Sequence, residues 1–532
     1  MLRITNLRVP INDETPLLHL AGKRLVLPVS EVQAAVIVRQ AIDARRKNNI
    51  SFVYTIDAEI CGSRKGTIPA HLVSDADISL VKPLNLPPIV FGEKRLNNPP
   101  IVVGAGPCGL FTAYALAKYG YKPILLERGR DVEQRTLDVE AFWRTGKLNE
   151  NSNVQFGEGG AGTFSDGKLT TRVNDPGMSE ILNILVDAGA PPEIKYRHKP
   201  HVGTDKLKEI VKNIRKTIIA SGGEVKFQCR LSDITVEAGK VSSITINDKE
   251  KIPCEALFLA IGHSARDTYE MLSGKLAIEG KAFAIGVRIE HPQELIDKAQ
   301  YGEMAGHAKL GAADYALTFS DKSGRAAYSF CMCPGGVVVA SASEPYQIVT
   351  NGMSFYKRDS GLANSALVVP VSPADFGTGA FDGVHYQRKY EKLAFDLGGG
   401  AYAAPVQAAG DFLKGKSSSK NFLSEPSYSP QVTVADLSKC LPNVVADVLK
   451  NALIVFGQKI KGFDHPHTVL TGVETRTSSP VRILRDNDFQ SVNLSGVYPV
   501  GEGAGYAGGI MSAALDGRSA AISFMRQFRA CP

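Results

Sequence analysis

The chain has 532 residues, 44% of them hydrophobic, and a formal net charge of +7. That length implies two to four domains rather than one, each able to bury a core. No apolar run is long enough to span a bilayer and the first residues carry no signal pattern, so a cytoplasmic protein with no membrane partner is expected. The charge is too dilute to demand a nucleic acid or any other anionic partner.

Residues 1–82 read as an α+β module. Residues 24–29 are expected as a strand. Ser30 with Gln33 has the pattern of a capping box, and Val32, Ala35, Val36 and Ile42 recur at helical spacing, so a helix is expected to follow. The densest basic cluster, Arg45-Arg46-Lys47, then suits the C-terminal end of that helix. Residues 51–60 alternate as a strand, with Phe52, Tyr54 and Ile56 on one face. Prolines crowd residues 83–100, which places a linker over 83–98.

The next block runs strand, turn, helix, strand. Ile101-Val102-Val103 leads into Gly104-Ala105-Gly106-Pro107-Cys108-Gly109, a G-x-G-x-x-G, and residues 110–119 read as a helix. Residues 123–127 form a second strand ending in Glu127, beside Arg128. Gly104 permits the tight turn, Gly106 a close approach to a pyrophosphate, and Gly109 close helix–strand packing. The helix N-terminus offers free N–H groups to phosphates. Glu127 stands where an acid accepts hydrogen bonds from a ribose. The motif alone is common; all five parts in register specify a dinucleotide.

Residues 156–168 are dense in glycine and small polar residues. Gly159, Gly160, Thr163, Ser165, Asp166, Gly167 and Lys168 are candidates to contact a flavin, against the alternative of a plain flexible loop. Leu207, Ile210, Val211, Ile214 and Ile218 form a helical stripe stopped by Gly222-Gly223. Strands are expected at 224–230, 232–236, 241–246 and 256–261, the last bringing Ala260 and Gly262 to the cofactor. Near the C-terminus, Gly501-Glu502 follows a strand, and Gly508-Gly509-Ile510 opens another helix. Its N-terminus can stabilise negative charge on a reduced flavin ring.

Together these segments resemble the glutathione-reductase-type FAD-binding fold. Residues 156–171 and 262–268, Cys331-Met332-Cys333-Pro334-Gly335-Gly336, and residues 474–480 narrow the resemblance to the bacterial family of uncharacterised NAD(P)/FAD-dependent dehydrogenases, over nearly the whole chain. The resemblance implies an α/β fold: a Rossmann FAD domain (99–285 and 461–532) with an inserted mixed α/β substrate domain (286–460). The expected cofactor is non-covalent FAD. No second strand–GxGxxG–helix unit is present, so NAD(P)H is expected at most as a transient electron donor.

The expected activity is hydride or electron transfer between FAD and a small organic substrate whose identity stays open. The alternatives are a nucleic-acid-modifying flavoprotein gripping its target through Arg45, Arg46 and Lys47, and a non-catalytic flavin redox sensor. His263, Cys331 and Cys333 are the catalytic candidates, each weighed against an ordinary structural role. In an extended strand Cys331 and Cys333 would stand about 6.5–7 Å apart, at the limit of disulfide geometry, and no basic residue adjoins them in sequence. Packing as small apolar residues is therefore the expectation. Arg476 and Arg482 read equally as clamps for an anionic substrate or flavin phosphate and as solvated surface arginines. His465 and His467 lack a third ligand and read as a polar turn rather than a metal site.

Overall fold

The computed structural model describes residues 1–61, 68–82, 87–322, 324–416 and 420–530. The first four residues of the expected linker, 83–86, lie outside the described residues.

The N-terminal module is a four-stranded antiparallel sheet in the order β2-β3-β1-β4: β1 Leu2–Pro10, β2 Val32–Asp43, β3 Ser51–Ile60 and β4 Ile78–Leu80. Two expectations are corrected here. The helix expected after Ser30 is β2, paired along its length with β3. Val36-Ile37-Val38 are consecutive β-branched residues that suit a pleated sheet. Register shifts between Val32 and Ala34 and between Ile37 and Arg39 break the two-residue alternation. The resulting spacing imitates a helix. The strand expected at 24–29 overlaps a helix, Leu17–Leu25, whose buried Ala21, Gly22 and Leu25 face the sheet, and Val26 at φ 54° closes it. Arg45, Arg46 and Lys47 consequently lie exposed in the turn between β2 and β3, with Arg45 paired to Asp43. The module is tied to the rest of the chain at Gln40, whose N–H donates to the Tyr196 carbonyl at 2.7 Å and whose carbonyl accepts from His198 N–H at 2.8 Å.

The second unit is a five-stranded parallel sheet ordered β23-β11-β5-β6-β7. Its members are β5 Ile101–Val103, β6 Ile124–Leu126, β7 Glu224–Lys226, β11 Leu257–Leu259 and β23 Val497–Pro499. β5, β11 and β23 are fully buried, as apolar strands covered on both faces must be. Helices Pro107–Lys118, Thr204–Ala220 and Ile510–Met525 pack in one core against them, the second through the expected stripe Leu207 to Ile218. A three-stranded meander, β8 Leu231–Glu237, β9 Lys240–Ile246 and β10 Glu250–Pro253, lies between β7 and β11 in sequence.

The third unit is a seven-stranded sheet ordered β14-β15-β18-β13-β21-β19-β20. Its strands are β13 Phe283–Pro292, β14 Thr318–Ser320, β15 Ala326–Cys333, β18 Leu362–Val371, β19 Ala403–Ala408, β20 Gln431–Val434 and β21 Val469–Glu474. Two short antiparallel pairs accompany it: β16 Gly336–Ala340 with β17 Thr350–Ser354, and β12 Ile278–Gly280 with β22 Val481–Ile483. Both expected domain boundaries shift. Residue 286 falls inside β13. The boundary at 460/461 separates β21 from β13 and β19, its partners in the sheet. The chain leaves this sheet only after Glu474.

Candidate functional site

The C-terminal ends of β5, β6 and β11 open onto a cavity of about 380 Å³, where ligands of open α/β sheets bind. Its near wall starts from the glycine turn. Gly104 sits at φ +101°, and a Cβ there would stand 2.3 Å from the Ala260 carbonyl oxygen; one on Gly109 would stand 1.8 Å from the Gly104 carbonyl oxygen. Both are glycine because strand, helix and β11 meet too closely for a side chain. Gly106 differs: a Cβ there would meet only Gly160 Cα at 3.7 Å, and otherwise faces the cavity. Gly106 caps helix Pro107–Lys118 without a side-chain hydrogen bond. The first N–H groups of that helix, with their partial positive charge, are thus free for an anion.

Glu127 lines the cavity and is 5% exposed. Its Oε2 accepts from Ala105 N–H at 2.7 Å, and its Oε1 accepts from Gly129 and Gly157 N–H, both at 2.9 Å. The carboxylate therefore organises three loops as well as facing the ligand space. Arg135 does comparable work from helix Val132–Thr145. Fully buried, it donates to the carbonyls of Asn153, Val154, Gly157, Glu158 and Gly160. Burial pushes its pKa down to about 10, against the attraction of Glu127 and Glu158. Arg135 thus holds the glycine-rich loop in shape, and sequence reasoning missed it.

That loop reaches the far side of the cavity. Asp166 accepts from Arg358 Nε at 2.9 Å and Nη2 at 2.6 Å, and from the Ser354 hydroxyl at the end of β17. Burial alone would raise its pKa, but the Arg358 and Lys168 cations hold it below the usual carboxylate range. Lys168 donates to the Met332 carbonyl in β15. A second helix N-terminus, Ile510–Met525, closes the near wall. Its cap is Gly509 at φ +136°, with no side-chain cap, and Cβ atoms on Gly508 or Gly509 would meet nothing within 4 Å.

The cavity brings together Gly104, Gly106, Pro107, Cys108, Glu127, Arg128, Gly160, Ser165, Asp166, Gly167, Lys168, Ala260, Gly262, Glu502, Gly508, Gly509 and Ile510, with His263 and Cys331. Gly109, Gly159, Thr163, Gly501 and Cys333 do not line it. Gly159 and Thr163 pack on each other, and Gly501 packs on Cys108, where a Cβ would come within 2.7 Å. The small size of Gly109, Gly159 and Gly501 serves close packing behind the wall.

His263 Nδ1 lies 3.3 Å from Glu502 Oε1, while its Nε2 is buried with no partner among the described residues. The far wall is Phe330, Cys331, Asn351, Glu474, Arg476 and Thr477. Arg476 is neither a free clamp nor a solvated surface arginine, being buried. Its nitrogens are taken by Glu391, Ser264 and Ser343. Arg482 does not line the cavity; it lies beside Glu279 at 3.6 Å. His467 Nδ1 contacts the Asn421 carbonyl at 2.9 Å, in keeping with a turn.

An uncharacterized protein of Clostridium beijerinckii is 51% identical to this chain over 531 residues, covering 99% of each. FAD-dependent protein, C-terminal domain-like, matches residues 282–477; an NAD(P)-binding Rossmann-like domain matches 102–136; and a domain of unknown function matches 1–59. The chain belongs to the family of that clostridial protein, a family of FAD-dependent proteins. FAD is its cofactor. Among solved structures, a geranylgeranyl bacteriochlorophyll reductase-like protein from Thermoplasma acidophilum is similar at 14% identity and TM-score 0.33, covering 80% of this chain and 77% of that one. A glycerol-3-phosphate dehydrogenase from Bacillus halodurans complexed with FAD is similar at 11% identity and TM-score 0.34, covering 83% and 67%. Glycine oxidase from Bacillus cereus is similar at 10% identity and TM-score 0.29, covering 79% and 93%. Scores this low leave the reaction of this FAD-dependent protein to be argued from its own residues.

Those residues fit FAD. Gly106, Gly508 and Gly509 leave space that side chains would fill, two uncapped helix N-termini meet at the cavity, and His263 Nε2 is an unpaired polar atom in its wall.

Proposed function

We infer that this FAD-dependent protein is an oxidoreductase that exchanges hydride or electrons between a small organic substrate and FAD. One observation carries the reading. The cavity has a nucleotide-binding wall from the parallel sheet and an opposing wall from the seven-stranded sheet, so a substrate entering it meets both.

In this reading the helix N-terminus at Gly106 and the peptide N–H groups of the glycine turn hold the pyrophosphate, and Glu127 and Arg128 flank the adenosine. The N-terminus of helix Ile510–Met525 faces the flavin ring. When bound, FAD supplies an acceptor for hydride or for single electrons, chemistry that no amino-acid side chain offers. The chain's own groups orient the substrate, exclude water and move protons. His263 suits the last task, because it lines the cavity with its Nδ1 3.3 Å from the Glu502 carboxylate. The test is anaerobic flavin reduction, followed by absorbance, against NADH, NADPH and a panel of organic metabolites. Fast reduction by one of them supports the reading. A flavin that none of them reduces, with no electron acceptor able to reoxidise the dithionite-reduced protein, supports a sensor instead.

A further inference from the structure

Cys331 occupies an unusual position on the far wall. Between Phe330 and Cys333 the register of β15 against β18 slips, so two residues face one, and Cys331 takes φ +43°. A bulge of this kind re-aims a side chain, and a non-glycine residue held in the left-handed region needs its surroundings to keep it there. Here the surroundings are specific. Arg288 Nη1 donates to the Cys331 carbonyl at 3.0 Å, and Lys168 donates to the next carbonyl, Met332. Arg288 is fully buried and is fixed by Glu474 and Asn351, both also lining the cavity. Cys331 lines the cavity, while Cys333 is buried behind it with its Sγ 3.3 Å from the Cys331 carbonyl oxygen.

Both premises behind the packing expectation therefore change. The segment is not a regular extended strand, and two cations from distant parts of the chain stand beside it. A hydrogen bond from the Cys333 thiol, with Arg288 and Lys168, holds the Cys331 thiol below the usual range, against burial. The same bond and burial push Cys333 up. The single Cys333 proton serves either the Cys331 sulfur or its carbonyl at one time. A cavity-lining thiol with a lowered pKa, with a second thiol buried behind it, is the arrangement of an attacking and a resolving cysteine.

We propose that Cys331 and Cys333 form a second two-electron redox centre that exchanges electrons with FAD in the same cavity. Oxidation of the dithiol forms one S–S bond. With Cys331 reacting as the thiolate, two electrons and the Cys333 proton leave the sulfurs and, with a second proton from solvent, convert FAD to FADH2, and the reverse step reduces the disulfide. The proposal rests on the flavin reading above and assigns it a partner within the chain.

Two measurements on the full-length protein test it separately from that reading. In the first, oxidised protein is titrated anaerobically with dithionite. The expected uptake is four electrons per FAD, falling to two in Cys331→Ser and in Cys333→Ala. In the second, which needs no flavin, the protein is treated with diamide, alkylated with iodoacetamide and analysed by peptide mass. The expected result is protection of both cysteines and a loss of two hydrogens from their peptide. After reduction, Cys331 should be alkylated with a midpoint well below the ~8.5 of an ordinary thiol. Uptake of two electrons by the wild type, with both cysteines alkylated after diamide, overturns the proposal, as does uptake of four that neither substitution changes. A protein without flavin would contradict the flavin reading and still leave the peptide masses to decide on the pair.

Discussion

Glu127 Oε2 accepts the N–H of Ala105 at 2.7 Å, so the acid that ends β6 is bonded to the glycine turn that follows β5. The two neighbouring strands are thereby locked at the ends where the dinucleotide is expected. With Gly129 and Gly157 also donating to it, the carboxylate has a structural task in addition to any contact with a ribose. Glu127→Ala should therefore lower both FAD affinity and the stability of the apoprotein, since each N–H left unpaired costs about 1–3 kcal/mol. Urea unfolding of the apoprotein and equilibrium FAD binding read the two effects apart. A normal unfolding midpoint with weakened FAD binding would assign Glu127 to the ligand alone.

Arg135→Met should release residues 153–160, because among the described residues no other side chain bonds more than one of those five carbonyls. Hydrogen bonds to a charged donor are worth about 1.5–3 kcal/mol each. The expected result is loss of most bound FAD and faster proteolysis within this loop, read by peptide mapping. Unchanged flavin content and unchanged cleavage would show that the loop stands without it.

Much of this site is legible in the sequence, and the exceptions have physical causes. The turn Gly104 to Gly109 declares itself because strand, glycines, helix and acid are contiguous. Arg135 does not, since an arginine between Gln134 and Thr136 in a polar helix reads as solvated; only the fold shows the ring of carbonyls around it. The surroundings of Cys331 are hidden for a related reason. Its cations, Lys168 and Arg288, lie far from it in the chain, so no local pattern records them. β2 is misread because its two bulges erase the alternation that would have marked a strand.

Glu290 gives a pH signature away from the cavity. Burial raises its pKa to about 7 from an ordinary 4.5, with Ser427 and Thr471 as hydrogen-bond partners. An acid with a raised folded pKa contributes stability below its unfolded value and loses it as pH rises to the folded value. Between about pH 4.5 and 7 the wild type should therefore lose stability relative to Glu290→Gln, by roughly 3 kcal/mol in all. Urea midpoints of both proteins at pH 5 and pH 8 check this. A difference that does not change with pH would mean the carboxyl is not protonated when folded.

FAD should be held without a covalent bond, since Cys108 packs against Gly501 and His263 is directed at Glu502. Acid precipitation should leave the colour in the supernatant. Flavin retained in the pellet would require a covalent link.

The most direct measurement is the identity and amount of flavin in the wild type and in Gly106→Val, set beside Gly109→Val. At Gly106 a side chain projects into the cavity and meets little of the protein, whereas at Gly109 it collides with the Gly104 carbonyl. The wild type should release about one FAD per chain. Gly106→Val should fold with a near-normal unfolding midpoint and carry little or no FAD, while Gly109→Val should fail to fold stably. FMN in the wild type, or a normal FAD content in folded Gly106→Val, would contradict the placement of the cofactor against this turn.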